Sequence, residues 1–133
     1  MTPADIENVV RLARRTGMAF IASADARARP HLACAAQLAA GADGCLEITQ
    51  WFCPGTVANI QENPEVAIVV WDSASDTGYQ VLGIVERVLD TAMLDGYVPG
   101  EEEHAVPQVE RKLTGRVRQV LAFTRRPHSD IPE

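Results

Sequence analysis

The feature that most constrains the fold is a succession of short apolar runs separated by turn signals. The helical patterns lie at the start, in the middle and late in the chain, so they do not alternate with the strands as in a βαβ protein. An antiparallel sheet closed into a small barrel fits this order better. The expected strands are Met18–Ser23, His31–Ala40, Cys45–Trp51, Val66–Trp71, Tyr79–Asp90 and Arg116–Thr124.

Three helices are expected. At the N-terminus Thr2 can cap a helix and Pro3 suits its first position, while Gly17 ends it. A second helix, of about two turns, lies within Cys53–Pro64 between two strands. A loop followed by a third, short helix is expected in Gly100–Leu113. The first helix has an apolar stripe with i, i+3, i+4, i+7 spacing, formed by Ile6, Val9, Val10 and Ala13.

Length and composition indicate a single domain over residues 1–133. A chain of this size can bury one real core. Its apolar runs stay below the roughly 18 residues that a membrane span needs, so no membrane contact is expected. The N-terminus carries acids and lacks the apolar segment of a signal peptide, which favours a cytoplasmic location.

The cysteines and histidines do not predict a metal site. Cys34, Cys45 and Cys53 have neither disulfide nor metal-cluster spacing, and plain packing as buried thiols is favoured. Cys53 lies near a predicted helix N-terminus, which can lower a thiol pKa, so it is the cysteine to test for reactivity. The acidic run 101–103 before His104 is expected to be a solvated loop, since no second histidine lies at ligand spacing.

Positive charge is unevenly distributed in a chain whose formal net charge is −6. No lysine or arginine lies between Arg29 and Arg87. This acidic middle argues against nucleic-acid binding, which requires a basic face. The basic end either discourages edge-to-edge strand pairing or supplies charge to an anionic ligand. Its members are Arg111, Lys112, Arg116, Arg118, Arg125 and Arg126.

Five segments, taken in order, resemble the pyridoxamine 5′-phosphate oxidase-like family of FMN-binding proteins. They are Phe20–Ala24, Arg29–His31, Leu46–Thr49, Asn59–Pro64 and Tyr79–Gly83. The resemblance covers roughly residues 3–125. It implies a six-stranded antiparallel split β-barrel of the Greek-key type with a few short helices. It also implies a homodimer that binds FMN in clefts at the subunit interface.

The resemblance places the cofactor near the short central helix. A helix that starts directly after a strand offers free N–H groups and a positive dipole end to a phosphate. Several of these positions also have structural interpretations: Thr56 as a helix cap, Trp51 as core or dimer packing, and His31 as a hydrogen-bonded, half-buried side chain. The residues expected at the cofactor are Arg29, His31, Thr49, Gln50, Trp51, Gly55 and Thr56.

Three cations typical of the family are missing. The phosphate-binding lysine falls on Thr56, a second basic position on Ala58, and a third on Leu82. Because charge-assisted hydrogen bonds are about twice as strong as neutral ones, their loss weakens phosphate binding. The candidates to replace them are Arg27 and Arg29 of the same chain, or Arg116, Arg118 and Arg125 of a partner subunit.

The leading hypothesis is therefore an FMN-dependent oxidoreductase related to pyridoxamine 5′-phosphate oxidase, acting on an unidentified small molecule. One alternative is a non-catalytic or altered-ligand binding module on the same dimeric barrel, with FMN binding weakened or lost. Another is a structural dimer whose cleft is filled by Trp51 or Trp71.

Overall fold

The computed structural model describes residues 3–35, 37–51, 54–94 and 108–132. The expectations for Cys53 and for the acidic run before His104 lie outside these residues. Two helices and seven strands are present in this part of the chain. They are α1 (Pro3–Thr16), β1 (Ala19–Ala24), β2 (Pro30–Ala35), β3 (Gln37–Ala40), β4 (Cys45–Trp51), α2 (Pro54–Glu62), β5 (Glu65–Asp72), β6 (Thr77–Leu94) and β7 (Gln108–Ala122).

The strands form one antiparallel sheet in the order β2-β1-β5-β6-β7-β4-β3. β2 and β3 lie at opposite ends of this order, yet only residue 36 separates them in the chain. Two residues of extended chain span at most about 7 Å, so the two ends of the sheet must lie close together. The sheet is therefore curled into a barrel that is split between β2 and β3.

The expected mainly β fold is confirmed, but the count of six strands is wrong. The single strand expected over His31–Ala40 is two strands, because the residues up to Ala35 pair with β1 and those from Gln37 pair with β4. Both halves are extended, so local sequence pattern alone does not reveal the change of partner.

The barrel interior is filled by aliphatic side chains from strands on all sides. Those with almost no exposed surface include Ile21, Leu46, Ile48, Val70, Val81 and Leu113. Helix α1 closes this core with the predicted stripe, since Ile6, Val9, Val10 and Ala13 are all buried. The helix ends as predicted at Gly17, whose φ is 78° and whose N–H donates to the Ala13 carbonyl at 2.9 Å.

Strand β7 corrects a second expectation. Residues 108–113 were expected to include a short helix, but they pair as a strand with β6, and from residue 110 onward with β4 as well. The segment is rich in Glu, Arg, Lys and Leu, which favour helices in isolation. Leu113 is completely buried between Ile48 and Val88, so barrel packing overrides this propensity.

Gly83 lies at an irregularity of the β6–β7 ladder, as its position inside a strand predicted. The register shifts between Leu82 and Gly83, and a Cβ on Gly83 would lie 2.5 Å from the carbonyl oxygen of Arg116. Only glycine permits this close approach of the two backbones. Neither helix of the described ranges has the length and apolarity to cross a lipid bilayer.

Candidate functional site

Helix α2 follows β4 and lies over the β1–β2 hairpin. Pro54 takes the first helical position, where its missing N–H costs nothing. Thr56, Val57 and Ile60 form the buried side of the helix. The first turn carries no acidic residue, so no carboxylate of the helix itself neutralises its positive end.

The two asparagines of the Asn59–Pro64 segment have structural roles. Asn59 donates from Nδ2 to Oγ of buried Ser23 at 3.1 Å, which fixes the middle of α2 to β1. Asn63 accepts at Oδ1 from the Glu65 backbone N–H at 3.2 Å, which supports the turn into β5. These bonds hold the helix in place without using the first turn.

His31 lies against the first turn of α2. It pairs with Ser23 in the β1–β2 ladder, and residues directly opposite in a sheet project to the same face. A Cβ on Gly55 would lie 3.1 Å from the His31 Nε2 atom, and His31 supplies all three nearest atoms. Glycine at this position therefore leaves room for the imidazole ring. His31 is exposed, so its interpretation as a half-buried side chain is wrong.

Thr56 is the most unusual polar residue of the site. Its side chain is completely buried, and its hydroxyl has no hydrogen-bond partner among the residues that the structure describes. It lies inside the helix, after Pro54 and Gly55, so the interpretation as a helix cap is wrong. A buried hydroxyl without a hydrogen-bond partner lowers the free energy of unfolding by about 1–3 kcal/mol. A ligand that accepted a hydrogen bond from Thr56 would recover this free energy.

Thr49 lies in a different cleft from His31 and Gly55. This cleft has a volume of about 720 Å³ and lies between the end of α1 and strands β3, β4 and β7. Across the sheet Thr49 is flanked by Gln37 and Lys112, and Lys112 forms an ion pair of 3.0 Å with Glu47. The other two residues expected on this strand are placed by their backbones alone: Gln50 opposite Arg111 and Trp51 opposite Glu110.

Arg29 lies in the turn between β1 and β2, beside the later part of α2. It shares a cleft of about 460 Å³ with Arg27, Ala58 and Glu62. Its Nε donates to Asp25 at 2.7 Å, and its backbone N–H donates to the same carboxylate at 3.0 Å. The backbone N–H and then the guanidinium of Arg29 lower the pKa of Asp25 below its usual value. The charge of Arg29 is therefore already compensated.

The C-terminal arginines are also paired within the chain. Arg116 donates a hydrogen bond from Nε to the Glu86 carboxylate, and this bond raises the pKa of the guanidinium. Arg118 lies 3.5 Å from Glu65. The fold thus brings basic residues of β7 next to acids from the cation-free middle of the sequence. Exposed ion pairs of this kind are worth little, so they do not fix these arginines permanently.

Arg125 takes part in a cluster that fixes the C-terminal segment to the β5–β6 turn. Asp76 accepts the indole N–H of Trp71 at 3.1 Å and the backbone N–H of Arg125 at 3.0 Å. These two donors, the Arg125 N–H first, lower the pKa of Asp76. The Arg125 guanidinium lies 5.7 Å from the centre of the Trp71 ring, and Phe123 packs edge-on against that ring. Trp71 is thus committed to this cluster.

The structure brings together three of the seven expected residues, His31, Gly55 and Thr56, at the start of α2. It places Thr49 and Arg29 in two other clefts. Sequence reasoning missed Ser23, because an apolar strand gave no signal for it. It named Lys112 as part of the basic end, but the position of Lys112 beside Thr49 follows only from the register of β7.

No protein-family model and no curated protein matches the chain. Solved structures do match it. A pyridoxamine 5′-phosphate oxidase-related, FMN-binding protein from Nostoc punctiforme has a TM-score of 0.67 at 14% identity, over 97% of this chain and 88% of that one. An FMN-binding protein from Syntrophomonas wolfei has a TM-score of 0.65 at 14% identity, over 91% and 87%. HupZ from Group A Streptococcus has a TM-score of 0.63 at 16% identity, over 94% and 96%.

These likenesses establish the fold. The curled antiparallel sheet with its two helices is the split barrel of these proteins, and the resemblance expected from the sequence is confirmed at that level.

Proposed function

We propose that this chain is a flavin-binding protein that holds the phosphate of FMN at the first turn of α2 and acts as an oxidoreductase. The observation that carries the proposal is the buried, unpartnered hydroxyl of Thr56 in that turn. The shared fold with proteins named as FMN-binding supports it.

The first turn of α2 has the chemistry that a phosphate needs. The first N–H groups of any helix have no partner within the helix, and the helix dipole favours an anion at this end. Gly55 adds no side chain there, and His31 lies beside it. Because the turn contains no acidic residue, a bound phosphate meets no like charge on the helix.

Thr56 contributes the remaining hydrogen bond. Burial of its hydroxyl without a partner among the described residues carries a free-energy cost. A phosphate oxygen at the same turn would accept that hydrogen bond and remove the cost once a small shift of the turn exposes the hydroxyl, which has no accessible surface in this structure. Binding therefore gains from a group that destabilises the free protein.

When bound, FMN supplies the electron-transfer chemistry, which is the cofactor's own. The residues of this chain bind and orient it: the N–H groups of the first turn of α2 hold the phosphate, and Thr56 donates its hydroxyl there. The substrate is a small molecule whose identity stays open.

We also propose that the working form is a cytoplasmic homodimer, as the resemblance implies. The clefts that contain Thr49 and Arg29 are open in the single chain, so a second subunit would complete their walls. Light scattering coupled to size-exclusion chromatography tests this assembly.

The test of the function is a comparison of FMN with riboflavin, which carries the same ring and ribityl chain without the phosphate. We expect FMN to bind at least about tenfold more tightly and to raise the melting temperature of the protein. Flavin fluorescence quenching gives the affinity, and reduction of the bound flavin by NADH or NADPH tests the oxidoreductase part.

Each result has a distinct meaning. Equal affinity for FMN and riboflavin would refute the proposed phosphate site. Absence of binding by either flavin would leave the alternative of a module for another ligand, an idea that rests on the missing lysine and the cation-free middle of the chain. Binding without reduction would retain the site and refute the proposed activity with these donors.

A further inference from the structure

We propose that His31 supplies the positive charge at the phosphate site, so that binding of a phosphate monoester is coupled to uptake of a proton by its imidazole. This inference rests on the proposed phosphate site and adds to it the residue that replaces the missing lysine. It assigns a charge-supplying role to a side chain on β2 rather than to α2 itself.

The geometry places one titratable side chain against the exposed side of the first turn. The nearest atoms to a Cβ on Gly55 are Nε2, Cε1 and Cδ2 of His31, at 3.1, 3.4 and 3.8 Å. β2 is held beside α2 because it pairs with β1 at Ser23, and Ser23 is in turn bonded to Asn59 of the helix. The same two contacts therefore fix the strand that carries His31 relative to the helix.

Among the residues that the structure describes, the charged groups near His31 include no unpaired acid at this end of the helix. On the β1–β2 turn, Asp25 is bound to Arg29, and Arg27 adds a second positive charge. On α2 the one acidic residue is Glu62, at the opposite end from Gly55. Cys34 is the remaining titratable group of β2, and it lies beyond His31 along the strand.

Phosphate binding changes the preference of the imidazole for its protonated form. A phosphate at the first turn of α2 favours the protonated ring, because its hydrogen bond with imidazolium is stronger than one with the neutral ring. Proton binding and phosphate binding then strengthen each other by the same factor, as thermodynamic linkage requires. Phosphate binding therefore draws at most one proton from solvent to the ring, and the amount depends on the pH.

The experiment measures FMN and riboflavin affinities at about pH 6 and about pH 8, which bracket the range where imidazole titrates. The variants are His31→Gln, which keeps polarity without titrating, and His31→Lys, which carries a permanent charge. His128→Asn is the matched control, because His128 is exposed in the C-terminal segment and its φ of 62° suits asparagine.

The phosphate of FMN itself takes up a proton at about pH 6. Each variant is therefore compared with the wild type at the same pH. We expect His31→Gln to weaken FMN binding about tenfold at the lower pH and much less at the higher pH, with riboflavin unaffected. The His31→Lys variant should bind FMN tightly at both pH values. Calorimetry in buffers of different ionisation enthalpy should show proton uptake with FMN that His31→Gln reduces.

Wild-type affinity and unchanged proton uptake in His31→Gln would overturn the inference and leave the phosphate site standing. Loss of riboflavin binding together with FMN binding would also overturn it, because His31 would then act on the ring or on the fold. If the wild type fails to bind FMN at either pH, both the site and this role of His31 are refuted.

Discussion

Asn59 of helix α2 donates a hydrogen bond of 3.1 Å to the buried hydroxyl of Ser23 on strand β1. This bond joins the helix to the strand across a sequence separation of 36 residues. It holds α2 in register with the β1–β2 hairpin, and so it sets the distance between Gly55 and His31 on which the proposed phosphate site depends.

Removing this bond should destabilise the whole barrel. We expect Asn59→Ala to lower the free energy of unfolding by about 1–2 kcal/mol, because Ser23 then keeps a buried hydroxyl without a partner. Urea denaturation measures the change. Asn8→Ala is the control, since Asn8 makes an exposed contact to Arg11 on α1. Additive effects of Asn59→Ala and Ser23→Ala in a double-mutant cycle would contradict a direct interaction.

Thr56→Val should separate the stability of the free protein from its affinity for FMN. Valine has the shape of threonine without the unpartnered hydroxyl, so we expect the free protein to gain about 1 kcal/mol in its free energy of unfolding. FMN affinity should fall about tenfold, because the phosphate loses one hydrogen bond. Thr56→Ser keeps the hydroxyl and should keep the affinity. Unchanged FMN binding in the valine variant would exclude Thr56 from the site.

Gly83 and Gly115 provide a matched pair on the β6–β7 ladder. A Cβ on Gly83 would lie 2.5 Å from the Arg116 carbonyl oxygen, whereas one on Gly115 would lie 3.8 Å from that of Ile84. We expect Gly83→Ala to cost about 1–3 kcal/mol of unfolding free energy. Gly115→Ala should change it by less than about 0.5 kcal/mol. Thermal and urea unfolding test the difference, and equal effects would contradict the close approach at Gly83.

Asp76 should make the C-terminal anchor sensitive to acid. Its pKa is lowered in the folded state by the Arg125 N–H and the Trp71 indole, so its ionised form stabilises the fold. That contribution is present above the ordinary value of 3.8 and is lost as the pH falls through the lower folded-state pKa. Asp76→Asn should therefore lower the melting temperature at neutral pH and have progressively less effect below that range.

Asparagine suits the φ of 50° at position 76, so this substitution tests the charge rather than the backbone. Asp130→Asn, in the exposed C-terminal segment, is the control for a general change in net charge. A difference between wild type and Asp76→Asn that stays constant with pH would show that the carboxylate charge has no part in the anchor.

Local periodicity predicted the elements whose contacts are close in sequence. The limits of Cys45–Trp51, the buried stripe of α1 and the irregularity at Gly83 all follow from patterns within a few residues. The short helix between β4 and β5 was predicted in the same way, from flanking strands and turn residues.

The features that were missed depend on which strands are neighbours. The chain changes its pairing partner between β2 and β3 without a change in local pattern. Residues 108–113 have side chains that favour a helix, but they form a strand because Leu113 is buried between β4 and β6. The contact of His31 with Gly55 was also outside the reach of sequence spacing, because it requires β2 and α2 to pack together.

The central claim is that the phosphate of FMN is held by the first turn of α2. Two-dimensional NMR of isotope-labelled protein tests it directly by following the backbone amide signals of Gly55 and Thr56 during titration with FMN and with riboflavin. The account predicts that FMN shifts both amide signals strongly and that riboflavin leaves them nearly unchanged. Bound FMN with unshifted Gly55 and Thr56 amides would contradict it.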